Sequence, residues 1–206
     1  MSRSFSGLRP DPCSALPPRV RETTERLSKA LTLAAVPHAI AGAVACNAYG
    51  HRRATEDVDV LVNAEALRAF CTTLSGRGWV PRYAGAKRSW RDASTSVDID
   101  VLVSGEFPGD GLQKAVSFPR LDIEQGFNWV LTEGGVRVLD LVSLISIKLA
   151  SAASAPHRRK DAADVAALIE TQNLPREFVT ELDVSVRPLF ITLWEEIHKK
   201  RAGGLQ

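Results

Sequence analysis

The strongest constraint on the fold is a pattern of alternating aspartates and aliphatic side chains that occurs in two short segments. Residues 57–62 read DVDVLV, and residues 97–103 read VDIDVLV. Successive side chains of a strand point to opposite faces, so the two aspartates of each segment share one face. Two carboxylates about 6–7 Å apart along a strand repel each other unless a cation lies between them. The pattern therefore predicts two strands and a site for Mg²⁺ or Mn²⁺, which prefer oxygen ligands.

The turn before the first acidic segment predicts a phosphate site. Residues 38–41 are apolar enough for a buried strand, and Gly42 and Ala43 then open a run of small residues that suits a helix ending at Gly50. The first N–H groups of a helix have no intrahelical partner, and small residues let a phosphate approach them closely. The plainer interpretation is a tight strand-to-helix turn before an exposed acidic strand, because glycine often marks only a turn.

These residues carry a resemblance to a known family. The pair Gly42-Ala43 and the downstream segment RATEDVD at residues 53–59 resemble the signature of the polymerase β-type nucleotidyltransferase superfamily. Within it, the chain is most similar to small bacterial nucleotidyltransferases of the abortive-infection toxin type and to their uncharacterised relatives. The family pattern is Gly-Gly or Gly-Ser, then basic-x-Thr-x-Asp-x-Asp. Ala43 stands here in the place of the second Gly or Ser.

The resemblance implies a set of catalytic carboxylates that bind metal. The two aspartates of the family motif hold the metal ions, which assigns that role to Asp57 and Asp59. A third carboxylate comes from a later strand of the family fold. Asp100 is expected to supply it, because it directly precedes a Val-Leu-Val run. Asp98 is the alternative metal ligand.

Lys148 and the charged segment at residues 157–164 form a second unusual feature. A lysine inside an otherwise apolar helix must reach solvent, a carboxylate or a ligand. Asp161 and Asp164 are three residues apart and share a helix face. Either Lys148 and Lys160 form a salt-bridge cluster with these carboxylates, or one of the two lysines contacts a triphosphate. The segment resembles a helical part of the same family. The resulting set of expected nucleotide-binding residues is Gly42, Ala43, Arg53, Thr55, Lys148 and Lys160.

The order of the predicted elements favours an α/β fold. A helix, a strand, a helix, a strand and a helix follow one another over residues 20–74. Asn63 is expected to cap the last of these helices, and Asp140 a later one. The resemblance implies a nucleotidyltransferase-like mixed sheet flanked by helices, of the α/β or α+β class. The predicted parts are a disordered arm at residues 1–18, the α/β core at 19–140, and a helical C-terminal part at 141–206 packed on the core.

Composition narrows the class of protein. The chain has 206 residues, 45% of them hydrophobic, which is enough for a real core. Its net charge of +2 is too small to predict nucleic-acid binding. The three cysteines are widely spaced and form neither a disulfide framework nor a zinc pattern. The first 20 residues contain no apolar signal core, and no segment is apolar enough to cross a bilayer. A cytoplasmic protein without membrane contact is expected.

Two functions from different classes remain open at this point. The leading hypothesis is a Mg²⁺-dependent nucleotidyltransferase that moves a nucleoside monophosphate from an NTP, such as ATP, to an unidentified acceptor. The acceptor is tRNA or another RNA, a protein hydroxyl, or a small molecule such as an aminoglycoside, and a toxin–antitoxin or defence setting is among the expectations. The alternative is a non-catalytic module of the same fold that binds a partner protein, such as an antitoxin or a toxin. The sequence indicates neither the nucleobase nor the oligomeric state.

Overall fold

The protein is described from a computed structural model that covers residues 16–108, 116–122, 124–126, 128–154 and 158–203, with the backbone alone at 200–203. Most of the predicted arm, residues 1–15, lies outside the described residues, as does residue 157, the first of the charged segment. The first helix already begins at Pro18, inside the predicted arm.

The chain alternates helices and strands in its first half and is helical in its last third. The helices are α1 (Pro18–Leu33), α2 (Gly42–Ala48), α3 (Leu67–Leu74), α4 (Leu141–Ser154), α5 (Arg159–Thr171) and α6 (Arg187–Gly203). The strands are β1 (His38–Ile40), β2 (Asp57–Val62), β3 (Trp79–Pro81), β4 (Ser89–Asp92), β5 (Asp98–Val103), β6 (Trp129–Leu131) and β7 (Arg137–Leu139). Short 3₁₀ helices cover Ala64–Ala66 and Arg176–Glu181.

The seven strands form one mixed sheet in the order β3-β4-β5-β2-β1-β7-β6. Strand β2 pairs in parallel with β5 and antiparallel with β1, and β1 pairs in parallel with β7. Helices flank the sheet, so the expected mixed α/β fold with helices at the C-terminus is confirmed. The central pair β2–β5 is the one that carries both acidic segments.

Two predicted helix caps have different outcomes. The Asp140 carboxylate accepts a hydrogen bond of 2.7 Å from the backbone N–H of Ser143, so Asp140 caps α4 as expected. The predicted Asn63 cap is wrong. The Asn63 side chain instead donates to the carbonyl of Leu121 (2.9 Å) and accepts from its N–H (2.8 Å). The Asn63 side chain thus pairs with the backbone N–H and carbonyl of Leu121, and it is not available to cap its own helix.

Buried apolar side chains form one connected cluster that extends from Leu16 to Ile197. It includes the aliphatic residues of β2 and β5 and the apolar side chains of α4. Most of the polar side chains of α4 are buried as well, so α4 is a central helix rather than a surface one. The division at residue 140 into an α/β core and a helical part stays a prediction. Within the described ranges, no helix has the length and apolar character needed to cross a membrane.

His38, at the start of β1, is fully buried and makes two hydrogen bonds. Its Nδ1 lies 2.8 Å from the carbonyl oxygen of Val36, and its Nε2 lies 3.1 Å from the Ser28 hydroxyl. Because a carbonyl only accepts, Nδ1 carries the proton and Nε2 accepts from Ser28. Burial, reinforced by the positive charge of Arg137, lowers the pKa of His38 to about 4 although the Val36 contact opposes the change.

This lowered pKa predicts a loss of stability in acid. The unfolded chain binds a proton at the ordinary histidine pKa of about 6.5, so the contribution of His38 is complete above that pH and falls as the pH drops towards 4. The free energy of unfolding is expected to fall by about 2 kcal/mol from this residue between pH 8 and pH 5. Urea unfolding of the wild type and of His38→Gln measures it. The variant is expected to lose less stability over this range, and equal losses would contradict the assignment.

Candidate functional site

The register of the central strand pair brings four aspartates to one face of the sheet. Asp57 lies opposite Asp98, and Asp59 lies opposite Asp100. Paired residues of parallel strands point to the same side, so all four carboxylates project together. The valines and isoleucine between them are buried on the other face. The repeated acidic pattern therefore describes one surface built by two strands that are about 40 residues apart in sequence.

The four carboxylates are not equivalent. Asp98 receives a 2.6 Å hydrogen bond from Nε of Arg91, and Nε of Arg82 lies 3.4 Å away, so its charge is compensated. The Arg91 hydrogen bond holds the pKa of Asp98 below its usual value. Asp100 instead accepts a hydrogen bond of 3.0 Å from the neutral hydroxyl of Ser89. The recorded hydrogen bond of Asp100 is thus with a neutral group, whereas Asp98 is paired with two arginines.

Asp59 lies between the carboxylates of Asp57 and Asp100, and both act on it. Burial first, and then the charges of Asp57 and Asp100, raise the pKa of Asp59 to about 6, although Lys148 and Arg53 act in the opposite direction. Asp57 is more exposed and accepts a 2.6 Å hydrogen bond from the Thr55 hydroxyl. Among the described residues, Asp57, Asp59 and Asp100 form no ion pair, and the more distant Arg53 and Lys148 offset their repulsion only in part.

The donor chemistry of Asp57, Asp59 and Asp100 fits a hard divalent cation. All three offer carboxylate oxygens, the ligands that Mg²⁺ and Mn²⁺ prefer. In the part of the chain that the structure describes, no group of three His, Cys, Asp or Glu side chains already stands in a metal-binding arrangement. Mg²⁺ is commonly held by one or two carboxylates together with substrate phosphates and water. The residues therefore fit a cation that is shared between the chain and a bound phosphate.

Gly42 packs directly against the Asp59 carboxylate. The backbone N–H of Ala41 donates to the carbonyl of Asp59 at 2.9 Å, which brings the start of α2 alongside β2. Gly42 has a φ of +56°, and a Cβ placed on it would lie 1.8 Å from Oδ2 of Asp59. Only glycine combines this left-handed backbone with this close approach. Gly42 is needed for the position of Asp59 as well as for the turn.

Asp57 and Asp59 border a cleft of about 450 Å³. Seven residues expected from the sequence to bind nucleotide or metal line it, namely Gly42, Ala43, Arg53, Thr55, Asp57, Asp59 and Lys148. Its lining also has an apolar wall that includes Phe107, Phe118, Leu144 and Ile147, and further charged residues, Arg88, Glu106, Arg158 and Asp161. The apolar wall was not predicted, because it combines a loop after β5 with α4, and neither carries a local motif.

Lys148 is the central cation of a buried charge network behind the cleft. Its ammonium donates to Asp164 at 2.7 Å and to Asp161 at 3.1 Å. Burial alone would lower the pKa of Lys148, but the facing groups of Cys46, Asp164 and Asp161 raise it above its ordinary value. The salt-bridge interpretation of this motif is therefore correct for Lys148. A contact between Lys148 and a nucleotide stays a prediction.

Asp164 connects this network to the loop before β2. Its carboxylate contacts Nη1 of Arg53 at 2.5 Å and Nε2 of His51 at 3.3 Å, in addition to Lys148. Arg53 is also fixed through its backbone, whose carbonyl accepts a 2.8 Å hydrogen bond from Asn47 of α2. Asp164 therefore orients two cations that line the cleft.

Three predicted site residues do not line this cleft, namely Lys160, Asp98 and Asp100. Lys160 is exposed on α5. Asp98 lies on the acidic face but faces two arginines. Asp98 and Asp100 border a second, neighbouring cleft, which is also lined by Asp57.

Replacing Asp164 by asparagine is expected to lower the free energy of unfolding by about 2 kcal/mol. The change leaves the buried Lys148 paired with a single carboxylate, that of Asp161. It also removes the ion pair between Arg53 and α5. Both losses destabilise the fold, because a buried charge that is not fully compensated is costly. Asp161→Asn is the matched control, because its side chain is 20% exposed and solvent compensates for the loss. Urea unfolding compares the two, and an equal or smaller loss in Asp164→Asn would contradict the central position of this carboxylate.

Comparison with known proteins adds little to this geometry. No model of a known protein family matches the chain, and no curated protein matches it. Among solved structures, the chain is similar to the STING-associated CdnE c-di-GMP synthase from Capnocytophaga granulosa, with 14% sequence identity and a TM-score of 0.35 over 84% of this chain. The chain spans 57% of the length of that protein. A TM-score this low carries no argument, so the function of this chain rests on its own residues.

Proposed function

We propose that this chain is a divalent-metal-dependent nucleotidyltransferase that transfers a nucleoside monophosphate from an NTP to a hydroxyl group of an acceptor. One observation carries the proposal: Asp57, Asp59 and Asp100 project from one face of two paired strands, and Asp57 and Asp59 border a cleft that is also lined by Arg53 and Lys148. Such a cluster of like charges is costly unless a cation and a phosphate occupy it. The resemblance of residues 53–59 to the nucleotidyltransferase signature supports the same chemistry.

Each side of the cleft has a part in binding the NTP. Gly42, Ala43, Arg53 and Lys148 line the cleft, where the backbone of the first two and the side chains of the last two would contact the β- and γ-phosphates. Thr55 would hold the Asp57 carboxylate in place through its 2.6 Å hydrogen bond. The apolar wall of the cleft would receive the sugar and the base against its phenylalanines.

The transfer step exchanges one phosphorus–oxygen bond for another. The acceptor oxygen forms a bond to the α-phosphorus, the bond from that phosphorus to the bridging oxygen breaks, and pyrophosphate leaves. Asp100 would lie beside the attacking hydroxyl and would help accept its proton. Bound Mg²⁺ or Mn²⁺ would neutralise negative charge on the α-phosphate and the leaving pyrophosphate.

Label transfer tests the proposal. The wild type is incubated with each of the four NTPs, labelled at the α-phosphate, with Mg²⁺ or Mn²⁺ and with tRNA, a protein mixture or an aminoglycoside as acceptor. The expected result is incorporation into an acceptor with release of pyrophosphate, both of which require the metal. The Asp57→Asn/Asp59→Asn double variant is the control. Pyrophosphate release that is equal in the wild type and in this variant, for every NTP, would refute the proposal.

A further inference from the structure

Asn47 is a polar side chain in the buried part of α2. Residues 43–48 of this helix are all buried, and the others carry only small or apolar side chains. Asn47 is 5% exposed. Burying an amide costs free energy unless its N–H and carbonyl groups are hydrogen-bonded, so the partners of Asn47 indicate why an amide stands at this position.

The Asn47 amide links α2 to the backbone of Arg53. Its Nδ2 donates to the carbonyl oxygens of Ala43 (2.9 Å) and Arg53 (2.8 Å), and its Oδ1 accepts from the N–H of Arg53 at 3.3 Å. Two carbonyls face the nitrogen and an N–H faces the oxygen, so the partners fix which way the amide points. One side chain thus holds both backbone polar groups of Arg53.

The turn at the end of α2 returns the chain to Asn47. The N–H of Gly50 donates to the carbonyl of Asn47 at 2.9 Å, and the N–H of His51 donates to the carbonyl of Cys46 at 3.0 Å. These are the two hydrogen bonds of a Schellman motif, and Gly50 has the positive φ (+83°) that the motif requires. The reversal brings Arg53 beside a side chain six positions earlier in the sequence.

Arg53 is consequently held at two points. Asn47 holds its backbone, and Asp164 of α5 contacts its Nη1 at 2.5 Å. A guanidinium has five N–H donors, so the contact with Asp164 leaves others for phosphate oxygens in the cleft that Arg53 lines. A side chain that is ordered before the ligand arrives loses less conformational entropy on binding.

We propose that Asn47 is a positioning residue for the NTP: it fixes the backbone of Arg53 so that the guanidinium meets the phosphates. The inference rests on the proposed function and adds to it a residue that does not itself line the cleft. Because Asn47 acts through Arg53, its effect on NTP binding depends on the presence of the Arg53 guanidinium. A residue that only stabilises the fold has no such dependence.

A double-mutant cycle tests this dependence. The α,β-methylene analogues of the four NTPs are titrated with Mg²⁺ by calorimetry, and the one that binds most tightly to the wild type is used throughout. Asn47→Ala and Arg53→Gln are each expected to weaken binding at least tenfold. In the Arg53→Gln background, Asn47→Ala is expected to weaken it less than twofold further. An equal loss in both backgrounds would overturn the proposal.

Asn47→Ser is the milder variant. A serine hydroxyl in a helix donates to the carbonyl four residues earlier, here that of Ala43, and it is too short to reach Arg53. Asn47→Ser is therefore expected to cost less stability than Asn47→Ala and to weaken binding of the analogue by a similar factor. Binding within twofold of the wild type would contradict the positioning role, even if Asn47→Ala fails to fold.

Asn63→Ala is the matched control. The Asn63 amide makes the same two-point contact with a backbone N–H and carbonyl, those of Leu121, and Asn63 is 3% exposed. Urea unfolding is expected to show a loss of stability in this variant, whereas its affinity for the analogue changes less than twofold. If Asn63→Ala weakens binding as much as Asn47→Ser, the effect follows from lost stability and the proposal fails.

Binding by the wild type and by Arg53→Gln separates the failure of this inference from that of the proposed function. If the wild type binds none of the four analogues, the proposed function fails and this inference with it. If the wild type binds and Arg53→Gln weakens binding, but the Asn47 variants do not, only this inference fails.

Discussion

Replacing Gly42 by alanine is expected to reduce nucleotidyl transfer roughly 10³-fold, which corresponds to ~4 kcal/mol of transition-state stabilisation. The new Cβ would lie 1.8 Å from Oδ2 and 2.7 Å from Cγ of Asp59, so the carboxylate must leave its position. Asp59 is short and fixed on a central strand, so it has little room to rotate without leaving the cleft. The free energy of unfolding is expected to fall as well, by about 3 kcal/mol, because alanine also resists a positive φ.

Gly76→Ala is the control for this substitution. Gly76 has a φ of +70° with nothing within 4 Å of the added Cβ, so alanine there meets only the backbone strain. A cost of about 1 kcal/mol and unchanged transfer activity are expected. Urea unfolding and label transfer compare the two variants. Equal effects of Gly42→Ala and Gly76→Ala on activity would show that the contact with Asp59 has no role.

The second large effect is expected from the carboxylates themselves. Asp57→Asn, Asp59→Asn and Asp100→Asn are each expected to reduce transfer roughly 10³-fold or more, since each removes a charged oxygen ligand from the cation site. None of the three is expected to unfold the protein. Asp59→Asn in particular relieves repulsion, because burial and the charges of Asp57 and Asp100 already raise the pKa of Asp59 to about 6. Tm is therefore expected to hold or rise in this variant while activity is lost.

Asp98→Asn is the matched control on the same strand and the same face. Its carboxylate is compensated by Arg82 and Arg91, so it does not belong to the cation site in this account. Transfer activity with saturating acceptor is expected to fall less than tenfold. Activity of all four variants is compared under identical metal concentrations. If Asp98→Asn is inactive and Asp100→Asn is active, the two aspartates have exchanged roles and the assignment is wrong.

Much of the fold could be predicted because its signals are local. The period of two in the acidic segments depends only on neighbouring residues, and the structure confirms both as strands, β2 and β5. Asp140 also caps its own helix as predicted, because the cap spans three residues. Gly42 was recognised as a turn residue from sequence, although its packing against Asp59 depends on the approach of two separate elements.

The choice between Asp98 and Asp100 illustrates what the sequence could not decide. Both alternate in the same way along β5, and both share a face with Asp57 and Asp59. The difference between them comes from β4, whose antiparallel register places Arg91 opposite Asp98 and Ser89 opposite Asp100. Such a pairing is fixed by long-range strand contacts. The Asn63 side chain was mispredicted for the same reason, since its partner Leu121 is 58 residues away.

The most direct test of the account is a calorimetric titration of each NTP, with and without Mg²⁺, into the wild type and into Asp57→Asn/Asp59→Asn. The wild type is expected to bind at least one NTP in the presence of Mg²⁺, and this binding is expected to be lost without the metal and in the double variant. The Tm of the wild type should rise when Mg²⁺ and the NTP are added, because a ligand that binds only the native state stabilises that state. Absence of binding for all four NTPs, or equal binding by the double variant, would contradict the account and favour a non-catalytic module that binds a partner protein.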